Sequence, residues 1–473
     1  MNRIGFYTLG CKMNYAETDA ISRKMQDAGF DVVAFNGVAD YYVINSCSVT
    51  ESANKKSRQA IRGAHRRNPQ AKIIVMGCYA QLKPQEIAEI DGVVLVLGVQ
   101  EKFNIVERLR EVEQSAISVL QVTPIQDVVR FDGAYSCSER TRAFLKVQDG
   151  CNYRCSYCTI PLARGKSRNT DIASLVAQAE EIAARGVKEI VLSGINIGDF
   201  GQTTGEKFVD LVRALDGVKG IERYRISSIE PNLLTSEVID FVAQSRAFMP
   251  HFHIPLQCGS DAVLRLMRRR YTTEFFAKRI HEVQSKIPDA FIGMDVMVGA
   301  PGELDSYFDE SYQFIESLKI SFVHVFTYSE RENTDALQIR PHIQESVRTE
   351  RSVKLHQLSE RMHQEFYKKF DGQIRPVLFE TKNKEGYYVG FTDNYIKVCA
   401  KIPYNVKKEY RAIFYNYIKS IYLEEHFAIS TLLLRKYNFH HMFLLLLLYF
   451  YLEKSLFFYY NKSEVFYEKY NYS

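Results

Sequence analysis

The sequence predicts an α/β protein: an N-terminal parallel-sheet domain, then a partial (β/α)6 barrel. Three observations carry this reading. Short apolar runs at residues 4–9, 41–45 and 72–76 alternate with helical patterns at 16–28 and 51–67, and such alternation builds parallel sheets. Six further strand–helix units follow between residues 144 and 326, as in a barrel. The 473 residues are 46% hydrophobic and 25% charged, ordinary for a soluble globular protein and enough for two or three domains with buried cores.

The N-terminal runs share an ending. The first stops at Gly10-Cys11, the second at Ser46-Cys47, the third at Gly77-Cys78. Ligands gather at the carboxyl ends of parallel strands. Three cysteines at that edge, distant in sequence, converge if the strands are neighbours, and three thiolates bind a metal cluster. One cysteine alone there would read as a small buried hydrophobe.

The barrel strands are expected at 144–147, 189–192, 224–227, 252–256, 294–298 and 322–326, with helices such as 172–185 and 273–287 between them. Polar or glycine-bearing segments close several strands: Ser193-Gly194-Ile195-Asn196, Ser227-Ser228-Ile229-Glu230-Pro231, Gln257-Cys258-Gly259-Ser260 and Gly299-Ala300-Pro301-Gly302-Glu303. Singly these are turn chemistry; together they mark one rim, where barrels carry their chemistry. Just after the first strand stand Cys151, Cys155 and Cys158, spaced C-x-x-x-C-x-x-C. Three thiolates hold three irons of a four-iron cluster and leave the fourth open, unlike the closed four-thiolate carriers. A zinc knot would pair this motif with a second C-x-x-C elsewhere, and the sequence has none. Nine cysteines behind an N-terminus without a signal-peptide core suit a reducing cytosol, so the localisation expected is cytoplasmic.

The spacing of Cys151, Cys155 and Cys158 resembles that of the radical S-adenosylmethionine (SAM) enzymes. Residues 142–151 with Thr159-Ile160-Pro161-Leu162-Ala163-Arg164-Gly165 resemble the radical SAM methylthiotransferases. So do residues 227–231, 253–257 and 324–329, and the likeness spans about residues 1–400. That family has three branches, acting on threonylcarbamoyl-adenosine in transfer RNA, on isopentenyl-adenosine in transfer RNA, or on an aspartate of a ribosomal protein. Residues 45–50, 68–71, 77–81 and 192–198 are most similar to the first branch. Gly299-Ala300-Pro301-Gly302-Glu303-Leu304 departs from the family pattern at Ala300 and Leu304, and Cys258 stands where serine is common.

The resemblance implies two 4Fe-4S clusters and SAM. Cys11, Cys47 and Cys78 would hold an auxiliary cluster that carries sulfur, and Cys151, Cys155 and Cys158 the cluster that binds SAM. One electron, from a donor such as flavodoxin or ferredoxin, would yield a 5′-deoxyadenosyl radical that takes hydrogen from C2 of adenine. Such chemistry is carried by the cofactors and needs no acid–base side chain. Gly194, Asn196, Ser228 and Glu230 are the expected SAM contacts. Cys137, Cys258 and Cys399 are assigned to no cluster. A rival of another class is a non-catalytic RNA-binding protein with structural clusters.

The partner expected is a transfer RNA anticodon loop, whose unpaired base can be splayed out without melting a duplex. The net charge of +5 is compatible with RNA. Lys55, Arg58, Arg62 and Arg66 recur at helical spacing as a basic stripe, and Arg268-Arg269-Arg270 add a local run; such groups serve phosphates or line a solvated face. No obligate protein partner is indicated. The domains expected are 1–125 (cluster domain), 137–370 (radical SAM core), 371–401 (the start of a TRAM-like β segment, by resemblance a small RNA-gripping barrel) and 402–473 (an atypical tail). No glycine follows Gly390, although tight β turns use it. The apolar run 442–452 ends at Glu453-Lys454, short of the ~20 residues that span a bilayer, so no membrane is expected. A tail translated out of frame and a peripheral membrane anchor both stay open as readings of this stretch.

Overall fold

The computed structural model describes residues 2–115, 119–137, 141–383, 385–400 and 409–413. The first domain runs β1 (Arg3–Thr8), α1 (Lys12–Asp27), β2 (Asp31–Val33), β3 (Tyr41–Ser46), α2 (Glu51–Arg67), β4 (Lys72–Gly77), α3 (Cys78–Leu82), α4 (Pro84–Ala88), β5 (Val93–Leu97), α5 (Ile105–Ser115) and β6 (Val119–Gln121). All six strands are parallel, in the order β2-β1-β3-β4-β5-β6. β3 is buried along its whole length, which is why its sequence is a continuous run rather than an alternation. The order reverses between β1 and β3, and ligands sit at such a switch point.

Helix α2 occupies the residues its periodicity predicts. Thr50 caps it by accepting a hydrogen bond from the Ala53 amide at 3.2 Å. Helix α1 starts four residues before the expected 16, because Cys11 takes the extended conformation of an N-cap and Met13 already faces the core. β2, β5 and β6 were not among the expected strands. β2 and β6 are three-residue edges, too short to show a period.

The second domain runs β7 (Arg142–Lys146), α6 (Ile160–Arg164), α7 (Ile172–Ala184), β8 (Glu189–Ser193), α8 (Phe208–Asp216), β9 (Arg223–Ile226), α9 (Ser236–Gln244), β10 (His251–His253), α10 (Asp261–Leu266), α11 (Thr273–Lys286), β11 (Phe291–Val298), α12 (Asp305–Ser317), β12 (Phe322–Thr327) and α13 (Glu345–Lys368). β7-β8-β9 and β10-β11-β12 are parallel sheets. Parallel bridges Tyr224↔Phe248 and Ser228↔His253 join them, giving the expected six-stranded open barrel. β10 ends at His253, short of the expected 256, since Pro255 has no N–H to give a ladder. Ile190, Leu192, Phe252, Met294 and Val323 lie in the continuous core under the helices.

The C-terminal sheet is antiparallel, in the order β15-β14-β13-β16, from β13 (Ile374–Lys382), β14 (Tyr388–Thr392), β15 (Lys397–Ala400) and β16 (Glu409–Ile413). β16 pairs with β13 beyond residue 401, so the sheet continues into the stretch expected to depart from it. Phe366, Phe370, Val377, Phe379 and Val398 pack it on the barrel. Arg225 donates to the Asp393 and Thr392 carbonyls at 2.9 and 2.8 Å, locking it to β9. The apolar run 442–452 lies outside the described residues. No helix among the described residues is long and apolar enough to cross a membrane.

Candidate active site

The three cysteine-bearing strands of the first domain are neighbours. Register pairs Thr8 with Asn45 and Ser46 with Gly77, so Cys11, Cys47 and Cys78 leave one edge side by side. Cys47 and Cys78 are buried and Cys11 is exposed. Surrounding protein desolvates the Cys11 thiol and raises its pKa against the pull of Arg164, and Cys78 adds to the rise. Burial, then Cys78, pushes Cys47 up to about 12. Asn14 fastens the edge, donating to the Leu9 carbonyl at 2.7 Å and the Ser46 carbonyl at 3.3 Å.

Two glycines make this approach possible. Gly10 has φ +97°, and a Cβ there would lie 2.9 Å from Cys47 Sγ. Gly77 has φ +98°, and its Cβ would lie 2.5 Å from Asn45 Oδ1 and 2.6 Å from the Ser46 carbonyl. Both need the left-handed region that only glycine enters freely. Gly77→Ala is therefore expected to cost about 1–3 kcal/mol and to displace Cys78. Thermal melting with iron counting checks this: lower stability is expected, with loss of any iron that Cys11, Cys47 and Cys78 hold.

On the barrel rim, Cys151, Cys155 and Cys158 are half-buried, and each sulfur accepts one hydrogen bond. The Tyr153 amide donates to Cys151 Sγ and the Ile160 amide to Cys158 Sγ, both at 3.4 Å; Arg269 Nη1 donates to Cys155 Sγ at 3.1 Å. Burial pushes Cys151 and Cys158 up to about 12, and binding a metal would release their protons. A cavity of about 460 Å3 opens over the trio, with Tyr153, Arg154, Lys166 and Arg268 in its wall. Gln148 Oε1 holds the neighbouring loop by accepting the Ile195 and Asn196 amides at 3.0 and 2.9 Å. Asn196 and Asp199 are buried there and face one another, with the Asn152 backbone also beside the Asp199 carboxyl, yet at full hydrogen-bond geometry the Asn196 amide atoms, Asp199 Oδ2 and Ser227 Oγ stay unmatched. Burial raises the Asp199 carboxyl. Glu230 pairs with Arg269, and Ser228 bridges to His253.

Between the two trios lies a buried layer of charge that the sequence reading missed. Glu17 meets Lys102 at 2.5 Å, Lys146 at 3.0 Å and Arg164 at 3.2 Å. Asp149 meets Lys146 at 2.8 Å, Arg164 at 3.0 Å and Arg168 at 3.1 Å. All six are at least 96% buried. Four basic side chains face two carboxylates, a formal excess of two positive charges, with burial lowering the Lys102 pKa against the pull of Glu17. Arg164, fully buried, also donates from Nε to Cys78 Sγ at 3.3 Å and from Nη2 to Asn14 Oδ1 at 2.6 Å. Burial opposes ionisation of Glu17, but Arg164, Lys102 and Lys146 outweigh it and hold the carboxyl well below its usual range. Arg164 thus touches one trio while its partner Asp149 precedes the other by two residues.

The expected basic patches divide. Lys55, Arg62 and Arg66 are exposed on α2. Arg58 is engaged with Glu51 at 2.7 Å, Glu86 at 3.1 Å and the Tyr79 hydroxyl at 2.8 Å. In the 268–270 run, Arg268 pairs with Asp335, Arg269 turns in to Cys155, and Arg270 stacks 3.9 Å above the Tyr153 ring. Cys258 is fully buried in the barrel core.

The donor sets fit open-cornered clusters. Among the described residues no three His, Cys, Asp or Glu groups close on a single ion. Two sets of three thiols are the donor chemistry of clusters that leave one iron open. Unpartnered polar atoms at Asn196, Asp199 and Ser227 fit a polar ligand beside the second trio.

Comparison with known proteins agrees with this layout. The model of the uncharacterized protein family UPF0004 matches residues 3–98, and that of the radical SAM superfamily residues 145–315. The threonylcarbamoyladenosine tRNA methylthiotransferase MtaB of Bacillus subtilis (strain 168) is 40% identical over 410 residues, covering 85% of this chain and 91% of the relative. The protein of the same name from Aquifex aeolicus (strain VF5) is 38% identical over 399 residues, covering 84% and 96%. A solved structure of the radical SAM methyltransferase TsrM from Kitasatospora setae, with tryptophan substrate and a SAM analogue bound, aligns with TM-score 0.52 at 14% identity over 69% of this chain and 73% of that one. The last is a likeness of fold.

Proposed function

This chain belongs to the family of threonylcarbamoyladenosine tRNA methylthiotransferases, and on that premise we propose that it inserts a methylthio group at C2 of N6-threonylcarbamoyladenosine beside the anticodon. The observation that carries the reading is the pair of thiol trios with Arg164 and Asp149 between them. The cofactors are two 4Fe-4S clusters and SAM; when bound, they supply one-electron cleavage of SAM and the sulfur to be inserted.

The side chains hold and orient. Cys151, Cys155 and Cys158 anchor the cluster that takes SAM, and Arg269 fixes Cys155 by its hydrogen bond. Asn196, Asp199 and Ser227 offer their unpartnered polar atoms to the charged amino and carboxylate groups of SAM, with the Gly194 loop, Ser228 and Glu230 around them. Cys11, Cys47 and Cys78 anchor the auxiliary cluster, and Arg164 offsets its negative charge. Lys55, Arg62 and Arg66, with Arg154 and Lys166 at the cavity wall, face phosphates; such contacts weaken as salt rises. A reduced flavodoxin or ferredoxin supplies electrons, and the cytoplasm is where such a donor and the RNA meet.

Nucleoside mass spectrometry of transfer RNA from a strain lacking the gene tests the reading. Loss of the methylthio form of threonylcarbamoyl-adenosine alone, restored by this chain, is expected. Loss of the methylthio form of isopentenyl-adenosine instead would contradict it.

A further inference from the structure

Residues 253–257 and 324–329 each open on a histidine, and neither histidine is needed to hold a cluster or SAM. Strand register brings the two together. β10 pairs His253 with Gly293, and β12 pairs His324 with Asp295. Phe252, Met294 and Val323 lie in the core under the helices, so the alternate residues His253, Gly293, Asp295 and His324 face the barrel lumen. There His253 Nε2 donates to Asp295 Oδ1 at 2.9 Å, and the two imidazole centroids are 5.1 Å apart. A Cβ at Gly293 would lie 3.6 Å from His253 Nδ1 and 3.9 Å from His324 Nε2. Both nitrogens therefore converge on a recess that the missing side chain leaves open. Solvent reaches this wall: His324 is exposed, and Phe326, next on the same face of β12, is 51% exposed. Ser228 is the parallel bridge partner of His253, so the recess lies beside the rim expected to hold SAM.

The two rings offer hydrogen bonds to a polar ligand. A carboxylate only accepts, so His253 keeps its proton on Nε2 and presents Nδ1 as the acceptor of the neutral ring. Protein crowds His324 and lowers its pKa to about 4, with His253 adding to the fall, so that ring is neutral and carries one donor and one acceptor nitrogen. We propose that His253 and His324 read the polar N6 substituent of the target adenine, taking its N–H and hydroxyl groups into the recess over Gly293 while Phe326 flanks the purine. This rests on the function proposed above. Asp295 is a positioning residue, acting through His253. An apolar N6 substituent would cover both ring nitrogens without pairing them, which disfavours it.

The test is fluorescence-anisotropy binding with the full, cluster-loaded chain. The probes are one transfer RNA with threonylcarbamoyl-adenosine and the same RNA with plain adenosine at that position. Wild type is expected to prefer the modified RNA by about 10- to 100-fold, the range of one or two buried hydrogen bonds. His324→Phe is expected to abolish the preference. Gly293→Ala is expected to do the same with both rings in place, since its methyl group fills the recess; its nearest neighbours would lie at 3.4–3.9 Å, ordinary contacts that leave folding intact. Asp295→Asn retains an acceptor for Nε2 and is expected to keep most of the preference, whereas Asp295→Leu loses it. Iron counting confirms that each variant is folded and loaded, and Gly293→Ala carries the test if His324→Phe loses iron. A preference that survives in iron-replete His324→Phe or Gly293→Ala overturns the proposal. So does a wild type that methylthiolates threonylcarbamoyl-adenosine yet binds both RNAs equally. A wild type that methylthiolates isopentenyl-adenosine instead shows that the parent reading has failed.

Discussion

Cys155→Ala is expected to abolish reductive cleavage of SAM and to remove roughly half the iron, since on the proposed assignment each trio would hold one four-iron cluster. Three thiolates are the minimum that fixes a cube with one open corner; two leave it labile and unable to present that corner. Cys155 is the most informative of its trio, because its sulfur also takes the Arg269 hydrogen bond at 3.1 Å, and Arg269 holds Glu230. Removing the thiol frees a buried guanidinium as well as an iron. The auxiliary irons are expected to stay, because Cys11, Cys47 and Cys78 rest on a separate sheet. Cys258→Ser is the control: that thiol is buried in the barrel core and belongs to neither trio, and its iron content and SAM cleavage are expected to match wild type. Iron counting and quantification of 5′-deoxyadenosine under anaerobic dithionite check both variants. A Cys155→Ala protein with full iron would refute the assignment.

Arg164→Met is expected to destabilise the protein by about 3–5 kcal/mol, the cost of breaking a buried ion pair from one side. Glu17 and Asp149 lose a partner they share, and neither can reach water, being at least 99% buried. The thermal midpoint is expected to fall by roughly 10 °C. Arg164 also donates to Cys78, and groups that orient a metal ligand are typically worth about 10- to 100-fold in metal affinity. The auxiliary iron is therefore expected to be lost first on mild chelation, with the other cluster unaffected. Arg164→Lys keeps the charge but not the fork of donors, so stability is expected to recover in part while auxiliary iron remains weakly held. Differential scanning calorimetry with timed chelation separates the two effects. Equal loss from both trios would contradict the account.

What the sequence made legible was what repeats or is spaced. Gly10-Cys11 and Gly77-Cys78 follow continuous apolar runs, and the runs proved to be adjacent strands ending at a switch point. The six barrel strands showed because each is a short β-rich run before a polar rim. The charge layer did not show, since Glu17 and Lys102 lie far in sequence from the stretch that holds Lys146, Asp149 and Arg164, and charged residues are seldom buried. Lys146 carried a weak hint: a lysine in an otherwise apolar strand, three residues before an aspartate. Arg269 read as part of a surface run, yet it turns inward because Glu230 and Cys155 lie behind it. Asp199 stood in no motif; only its unpartnered burial marks it. Strand β5 is as apolar as β4 and was missable because no cysteine closes it.

The central claim is that the two trios do separate work on one substrate, and product analysis of Cys78→Ala tests it most directly. With SAM, reductant and threonylcarbamoyl-adenosine transfer RNA, the account predicts continued release of 5′-deoxyadenosine and no methylthio nucleoside. Wild-type methylthiolation by that variant would contradict it.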